Sequence, residues 1–265
     1  MIKYPKTFEY FKNKAEEKGD ICLEFRGASA YDHKDFFFNY MKRRERKDSP
    51  NNAIENPIIY ELIGEFQNKG ILDLGCGNGE FGKELLNQGA SYYIGIEGSK
   101  QMVASATLNL AQLKGTIHHE TMESYSFPAN TFDIVTSRFA IHYVSDLHSL
   151  FENVYKALKD DGKFVFSVQH PLTTSSFISK QKGEKRGNWV VDDYFLEGER
   201  KEPWMEQMVV KYHRTIEHYF KALTGTGFSV KDLREGTPQR EHFSNDEEYE
   251  RRRRIPVVLA FSCTK

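Results

Sequence analysis

The sequence has few cysteines and no long apolar run, and each shortage excludes a class of protein. Its 3 cysteines among 265 residues (Cys22, Cys76 and Cys263) lie far apart and form no C-x-x-C pair. Neither a disulfide framework nor a cysteine metal clip is therefore expected. No stretch approaches the roughly 20 apolar residues of a membrane span, and the charged N-terminal segment has no apolar signal-peptide core. We expect a cytoplasmic protein without a membrane span.

An excess of charge of one sign is also lacking. The chain has 37 lysines and arginines against 38 acidic residues, a formal net charge of -1. This balance disfavours a nucleic-acid partner, which usually needs a basic excess. The 9 histidines form no H-E-x-x-H motif, so no metal is expected. Hydrophobic residues make up 39% and aromatic residues 14%, enough to bury a core.

Two basic runs are exceptions to this balance. Residues 251–254 are four arginines, three of which follow a glutamate by four positions. That spacing is the favourable helical ion pairing, so we interpret the run as the polar face of a short helix. Residues 42–47 contain one acid, Glu45, and leave open a role in binding an anionic substrate.

Short apolar strands alternate with helices from residue 70 onwards. Strands are predicted at residues 70–75, 92–96, 115–119, 132–137, 163–168, 228–233 and 255–263, and helices at 57–67, 82–87, 100–113, 148–158 and 215–223. This rhythm indicates parallel βαβ units with right-handed crossovers. We expect a single domain with a core at 56–170, continued by 215–265.

The two remaining segments are rich in aromatic residues. Residues 1–55 are predicted to form a helical extension, and residues 171–214 an inserted loop or hairpin. Either segment could cover a substrate and exclude water. The aromatic candidates for such a cover are Tyr31, Phe37, Tyr40, Trp189, Tyr194, Trp204 and Tyr212, together with His213.

A glycine-rich turn, Asp-Leu-Gly-Cys-Gly-Asn-Gly, follows the first core strand at residues 73–79. Glycine lets the backbone turn sharply and approach a ligand closely. The next strand ends in Glu97, which could accept both hydroxyls of a ribose. Gly77, Gly79 and Gly82 also match the dinucleotide pattern G-x-G-x-x-G, and this leaves NAD open as an alternative. Asp73 argues against it, because an acid there would repel a pyrophosphate but suit a cationic ligand.

These motifs resemble those of the class I S-adenosylmethionine-dependent methyltransferases. ILDLGCGNGEFG resembles the first motif, YIGIEGSKQMVASA the second, and TFDIVTSRFA with KALKDDGKFVFSVQHP the later strands. The small-molecule, quinone-biosynthesis-like group is the most similar. The resemblance covers residues 55–170 closely and implies a doubly wound, Rossmann-like α/β fold with a seven-stranded, mostly parallel sheet and one antiparallel strand.

The resemblance also implies the residues that bind S-adenosylmethionine. The methionine end of the cofactor is expected at the glycine-rich turn, the ribose at Glu97, and the adenine in the loop after the third strand. Many relatives have an aspartate in that loop, where this sequence has Thr121. The implied residues are Asp73, Gly75, Cys76, Gly77, Asn78, Gly79, Glu97, Gly98, Ser99, Met102, Thr121, Met122, Glu123 and Arg138.

Three residues after core strands are candidates for catalysis. Methyl transfer is an in-line displacement that needs alignment and, for some acceptors, removal of a proton. His142 and Tyr143 follow the fourth strand and His170 the fifth, and a histidine can take a proton near neutral pH. His170 is the first choice. Each of these three side chains could instead only form hydrogen bonds within its own loop.

The leading prediction is methyl transfer to a small molecule. The alternatives are methylation of RNA or protein on the same fold, and a non-catalytic cofactor-binding module. A nucleic-acid enzyme could carry an Asn/Asp-Pro-Pro-aromatic signature after the fourth strand, where this chain has Ser137-Arg138-Phe139-Ala140. The acceptor atom and the oligomeric state are not readable from the sequence, and fold alone does not specify a reaction.

Overall fold

The computed structural model describes residues 24–180, 188–205 and 207–265. Cys22 and the predicted helices before residue 24 lie outside these ranges. Within them, no helix has the length and apolar character that crossing a membrane requires.

A seven-stranded sheet forms the centre of the molecule. Its strands are β2 (Gly70–Leu74), β3 (Tyr92–Glu97), β4 (Gly115–His119), β5 (Phe132–Arg138), β6 (Leu158–Gln169), β9 (Ser229–Arg234) and β10 (Val258–Thr264), in the order β4-β3-β2-β5-β6-β10-β9. Neighbours from β4 to β6 pair in parallel, whereas β10 is antiparallel to both β6 and β9. The predicted sheet with one antiparallel strand is confirmed. The carboxyl ends of β2, β3 and β5 consequently meet at one edge, where such sheets bind ligands.

Helices pack on both faces of this sheet. The helices of the described ranges are α1 (Lys34–Arg44), α2 (Asn56–Ile63), α3 (Glu80–Asn87), α4 (Lys100–Leu110), α5 (Leu147–Ala157), α6 (Pro171–Thr174), α7 (Ile216–Thr226) and α8 (Asp246–Arg253). In β2, Ile71 packs with α2 and α3, while its neighbour Leu72 packs with α5 and α7 on the other face. Successive side chains of a strand point to opposite faces, so β2 is buried on both sides, with Asp73 as its one charged residue.

A second, three-stranded sheet joins the chain's N-terminal part to the insert. It contains β1 (Glu24–Arg26), β7 (Gly198–Trp204) and β8 (Gln207–His213), in the order β1-β8-β7. The β7–β8 pair is the hairpin that the sequence allowed, whereas residues 24–26 were expected to be helical and are a strand. The sequence near residue 24 could not predict this strand, because β1 is held by parallel pairing with β8, nearly 200 residues further along the chain.

Element boundaries differ from the predictions by a few residues. The last strand begins at Val258 rather than 255, after Pro256, which has no N–H to donate to a ladder. The cap of α8 is Asn245, whose Oδ1 accepts from Glu248 N at 2.8 Å.

Candidate active site

A cavity of about 1120 Å³ opens at the carboxyl ends of the central strands. The three-stranded sheet and the segment before α1 cover it, and side chains from β1, β7 and β8 line it. Pockets for a single small ligand have volumes of roughly 300–1,000 Å³. This cavity is therefore larger than one cofactor requires.

The turn after β2 supplies the floor of the cavity. Gly75 and Gly77 have φ angles of 74° and 58°, in the left-handed region that favours glycine. The backbone N–H groups of Gly75 and Cys76 both donate to the Ile96 carbonyl, at 2.8 and 3.1 Å. A Cβ on Gly75 would lie 2.5 Å from Ala140 Cβ, whereas one on Gly77 would meet no atom within 4 Å. Gly77 therefore leaves a face open to the cavity.

Glu97 stands at the end of β3 beside this turn. One carboxylate oxygen accepts from Gly77 N and the other from Ser99 N, each at 2.9 Å. Burial raises the pKa of Glu97, and these backbone donors partly oppose that shift. Ser99 also caps α4 by accepting from Met102 N at 3.3 Å. Glu97, Gly98 and Met102 line the cavity, and Ser99 supports them from below.

The loop after β4 forms the adjoining wall. Thr121, Met122 and Glu123, the residues that the resemblance implies for the adenine, line the cavity together. The Thr121 hydroxyl lies 3.1 Å from Ser124 Oγ, a bond that holds the loop in a tight turn. Glu120 also lines this wall and was not singled out from the sequence, because nothing local distinguishes it from other surface acids.

Asp73 does not line the cavity. Its carboxylate lies beneath the turn, where it accepts from Tyr93 Oη at 2.6 Å and from Thr136 Oγ1 at 2.9 Å. Burial raises the pKa of Asp73, although both hydroxyl donors oppose the shift. Asp73 therefore supports the turn from below.

Three further residues of the turn also face away from the cavity. The Cys76 thiol is buried against Gly95, and burial raises its pKa well above the ordinary value. The Asn78 carbonyl accepts from Asn109 Nδ2 at 2.9 Å, and Gly79 packs on Ala106 of α4. They shape the turn and join it to α4.

Arg138, at the end of β5, lines the cavity but is held by a buried acid. Its guanidinium pairs with Glu55 through Nε and Nη2, at 3.0 and 2.5 Å, and lies 4.4 Å above the Phe81 ring. Burial alone would lower the pKa of Arg138, but the Glu55 carboxylate raises it above the ordinary value. Phe139, the next residue, has a φ of 50°, uncommon for a bulky side chain. The reversal there turns residues 140–143 across the cavity.

His142 and Tyr143 both line the cavity after this reversal. His142 Nδ1 is buried and has no hydrogen-bond partner among the described residues. Burial, with the positive charges of Lys211 and Arg214, lowers the pKa of His142 well below its ordinary value. Tyr143 Oη lies 3.4 Å from Tyr31 Oη. The imidazole is therefore neutral and has a nitrogen free to bond a ligand.

His170 lies outside the cavity wall. Its Nδ1 accepts from Leu172 N at 3.2 Å, so Nε2 is the protonated nitrogen and donates to Glu235 at 3.0 Å. It is the N-cap of α6. The structure thus uses both ring nitrogens for local bonds and does not bring His170 together with the other candidates.

Aromatic side chains from the cover line the part of the cavity beyond Tyr143. Tyr31 packs edge-to-face on Tyr40 and on Trp204, with ring centroids 4.8 and 6.3 Å apart. Of the other predicted cover residues, Trp189 and Tyr212 line the cavity, whereas Phe37, Tyr194 and His213 do not.

A buried ion pair between Lys211 and Glu202 lies under these aromatic rings. Each side chain is 1% exposed, and Lys211 Nζ lies 4.8 Å from the Trp204 ring centroid. The sequence reasoning missed this pair. The signal was a lysine within an apolar strand, QMVVKYH, but its partner lies on the neighbouring strand.

The segment before α1 is attached to the floor of the cavity through Asp32. Its Oδ1 accepts from Ser99 Oγ at 2.8 Å and from Gln101 N at 3.3 Å, at the start of α4. In the described ranges, no group of three or more His, Cys, Asp or Glu side chains is arranged to hold a metal ion.

Comparisons with known proteins agree with this geometry. A family model described as a methyltransferase domain matches residues 72–166. The structure is similar to that of an S-adenosylmethionine-dependent methyltransferase from Mesorhizobium loti, with 32% identity, a TM-score of 0.73, and coverage of 82% of this chain and 100% of that one.

Two curated sequences are also similar. An uncharacterised protein of Haemophilus influenzae is 31% identical over 217 residues, which cover 78% of this chain and 85% of that protein. Phosphoethanolamine N-methyltransferase 2 of Caenorhabditis elegans is 32% identical over 124 residues, 45% of this chain but only 28% of that enzyme.

Proposed function

Because the chain belongs to the S-adenosylmethionine-dependent methyltransferases, and its cofactor is therefore S-adenosylmethionine, we propose that its methyl acceptor is a small molecule bound in the covered cavity. The observation that carries this proposal is the extent of the cavity. It runs from the glycine-rich turn past His142 to the aromatic rings of the cover, and about 1120 Å³ is room for two ligands side by side.

The turn and the end of β3 fit the cofactor. Gly77 presents an open face where a side chain would intrude, and Glu97 offers a carboxylate that suits ribose hydroxyls. The adenine would lie along Met122, with Thr121 and Glu123 beside it. Asp73 would act from below through the turn. When bound, S-adenosylmethionine supplies a methyl group on a positively charged sulfur.

Beyond that site, His142 and Tyr143 are the residues placed to meet an acceptor. His142 is neutral, and its buried Nδ1 could accept a hydrogen bond or a proton from the acceptor atom. Tyr143 and Tyr31 would orient the acceptor against the turn. The cover would exclude water, and the main contribution of the protein would be alignment of the two reactants.

The curated relative with an established small substrate supports the same class of acceptor. Phosphoethanolamine N-methyltransferase acts on a compact acceptor, although the match covers less than half of this chain. Methylation of RNA or protein is less favoured, because the three-stranded sheet covers the cavity that a polymer would have to enter.

The proposal is tested by following the labelled methyl group. The purified full-length chain is incubated with methyl-labelled S-adenosylmethionine and, separately, with a small-metabolite fraction, total RNA and a protein extract. We expect label in products that pass a 1-kDa ultrafilter, and none in the macromolecular fractions.

A Gly77→Val variant is the control for this assay, because a side chain there enters the open face and should abolish both cofactor binding and transfer. Label in RNA or protein, with none in small molecules, would contradict the proposal. Label in no fraction, despite binding of S-adenosylhomocysteine, would favour a non-catalytic module.

A further inference from the structure

Charge is unevenly distributed along the cavity. Near Glu97 the wall is mainly acidic, with Asp32, Glu120 and Glu123, and the one described arginine on this side, Arg26, pairs with Glu199. In the middle, Arg138 and Lys211 are each neutralised by a buried glutamate. At the remaining end the described lining contains five arginines and two acids: Arg43, Arg44, Arg46, Arg251, Arg252, Asp48 and Glu248. We call these five arginines the arginine cluster.

The cluster comes from two elements that are distant in sequence. Arg43 and Arg44 end α1, Arg46 follows it, and Arg251 and Arg252 end α8. Basic residues at a helix C-terminus stabilise the helix dipole, which explains arginines on each helix separately. It does not explain why two helices aim them at one cavity wall.

The local counter-charge is incomplete. Glu248 alone pairs with both Arg251 and Arg252. Among the residues that the structure describes, neither Arg43 nor Arg46 forms an ion pair. Burial and the neighbouring Arg251 lower the pKa of Arg252 to about 10, and Arg46 adds to this effect. Like charges that lie close together and partly shielded from water repel one another, and a bound anion would relieve this repulsion.

We propose that the acceptor carries an anionic group, a phosphate or a carboxylate, and that the arginine cluster binds it. This rests on the proposed function, because it assigns a chemical class to the same small molecule. The acidic end suits a cationic cofactor and the basic end an anionic acceptor, so the two ligands are sorted to opposite ends of one cavity. Guanidinium groups bind phosphate and carboxylate in a bidentate manner.

A polymer is the competing source of phosphate. Residues 251–253 lie on a short helix, as the interpretation of this run expected, but Arg251 and Arg252 are only 18% and 11% exposed and line the cavity. A nucleic-acid surface would present its basic side chains openly along a continuous stripe. Arg43 and Arg46 are exposed, but Arg251 and Arg252 enclose the inner side of the cluster, and this arrangement favours a small anion.

The test uses two double variants with the same change in charge. Arg43→Gln/Arg46→Gln removes two cluster members that have no ion pair to lose. Lys42→Gln/Lys47→Gln removes two exposed lysines of the same segment that do not line the cavity. Binding of inorganic phosphate, pyrophosphate, citrate and a single-stranded RNA 12-mer is measured by calorimetry, with S-adenosylhomocysteine present.

We expect saturable binding of a small anion, weakened at least tenfold in Arg43→Gln/Arg46→Gln and less than twofold in the lysine variant. Affinity for S-adenosylhomocysteine should stay the same in both, which separates this result from a failure of the cofactor site. Equal weakening of anion binding in both variants would show that the anion responds only to the overall positive charge of the segment, and this would overturn the proposal. RNA binding that depends on Arg43 and Arg46 while small anions do not bind would also overturn it.

Discussion

At the scale of single residues, the site divides into side chains that face the cavity and side chains that hold them in place. Gly77 and Glu97 face the cavity, and Asp73 holds the turn from below through two hydroxyl groups. Residues of both kinds belong to the motifs that carry the family resemblance. Whether the carboxylate of Asp73 or Glu97 faces the cavity or the underside of the turn follows from the register of β2 beside β3 and β5.

Glu97→Gln should weaken binding of S-adenosylhomocysteine at least tenfold, about 1.4 kcal/mol, because a neutral amide is a poorer acceptor for ribose hydroxyls. Burial raises the pKa of Glu97, so the carboxylate protonates at a higher pH than an exposed glutamate does. Affinity of the unaltered protein should therefore fall as the pH decreases through that raised pKa. Calorimetric titration between pH 7.5 and 5 measures both effects.

The matched control is Glu65→Gln, an exposed acid outside the cavity, which should keep the affinity and the pH dependence. In Glu97→Gln the acid-side loss of affinity should disappear. If that variant bound as tightly as the unaltered protein, Glu97 would not be the ribose acid.

His142→Asn should lower the rate of methyl transfer by about 10²-fold or more, the range for loss of a positioned general base, and leave affinity for S-adenosylhomocysteine unchanged. The reason is that His142 lines the cavity with a neutral ring whose buried Nδ1 has no hydrogen-bond partner among the described residues. Initial rates of label transfer across pH 5.5–8.5 measure the effect. His148→Asn, at an exposed position on α5, is the control. An unchanged rate would leave His142 as a lining residue only.

At the scale of elements, the cover is one sheet built from two segments of the chain. β1 pairs in parallel with β8, and β8 pairs with β7, so the N-terminal part and the insert cover the cavity together. The Lys211–Glu202 pair lies within this sheet and is almost completely buried. A buried pair contributes little net stability, but removal of one member leaves an uncompensated charge.

Lys211→Met should therefore lower the free energy of unfolding by about 3–5 kcal/mol, because Glu202 would remain buried without a cation. The double variant Lys211→Met/Glu202→Leu should regain most of that loss. Urea denaturation measures both. Lys221→Met breaks an exposed pair with Glu217 and should change stability by less than about 1 kcal/mol. Equal destabilisation by the single and the double variants would mean that packing, rather than charge, matters at this position.

At the scale of the whole molecule, a net charge of -1 conceals a polarised interior. Acids gather around Glu97 at one end of the cavity and five arginines at the other, while the middle is neutral through buried pairs. A composition count cannot show this, because it sums charges that the fold separates. In the sequence, the segment 42–47 and the run 251–254 resemble ordinary surface, and only the fold shows that both contribute arginines to one cavity wall.

Local sequence determined the succession of strands and helices along the chain, the glycine-rich turn and the acid after β3, whereas the antiparallel last strand was implied by the family resemblance. These depend on apolar periodicity and backbone sterics within a few residues, and the family resemblance added the cofactor. Only the tertiary structure decided that β1 pairs with β8 and that Asp73 lies under the turn. It also decided that His170 bonds Glu235 while His142 lines the cavity, and that five arginines line one wall. Each of those facts depends on contacts between residues far apart in the chain, and no local pattern encodes which distant partner will be near.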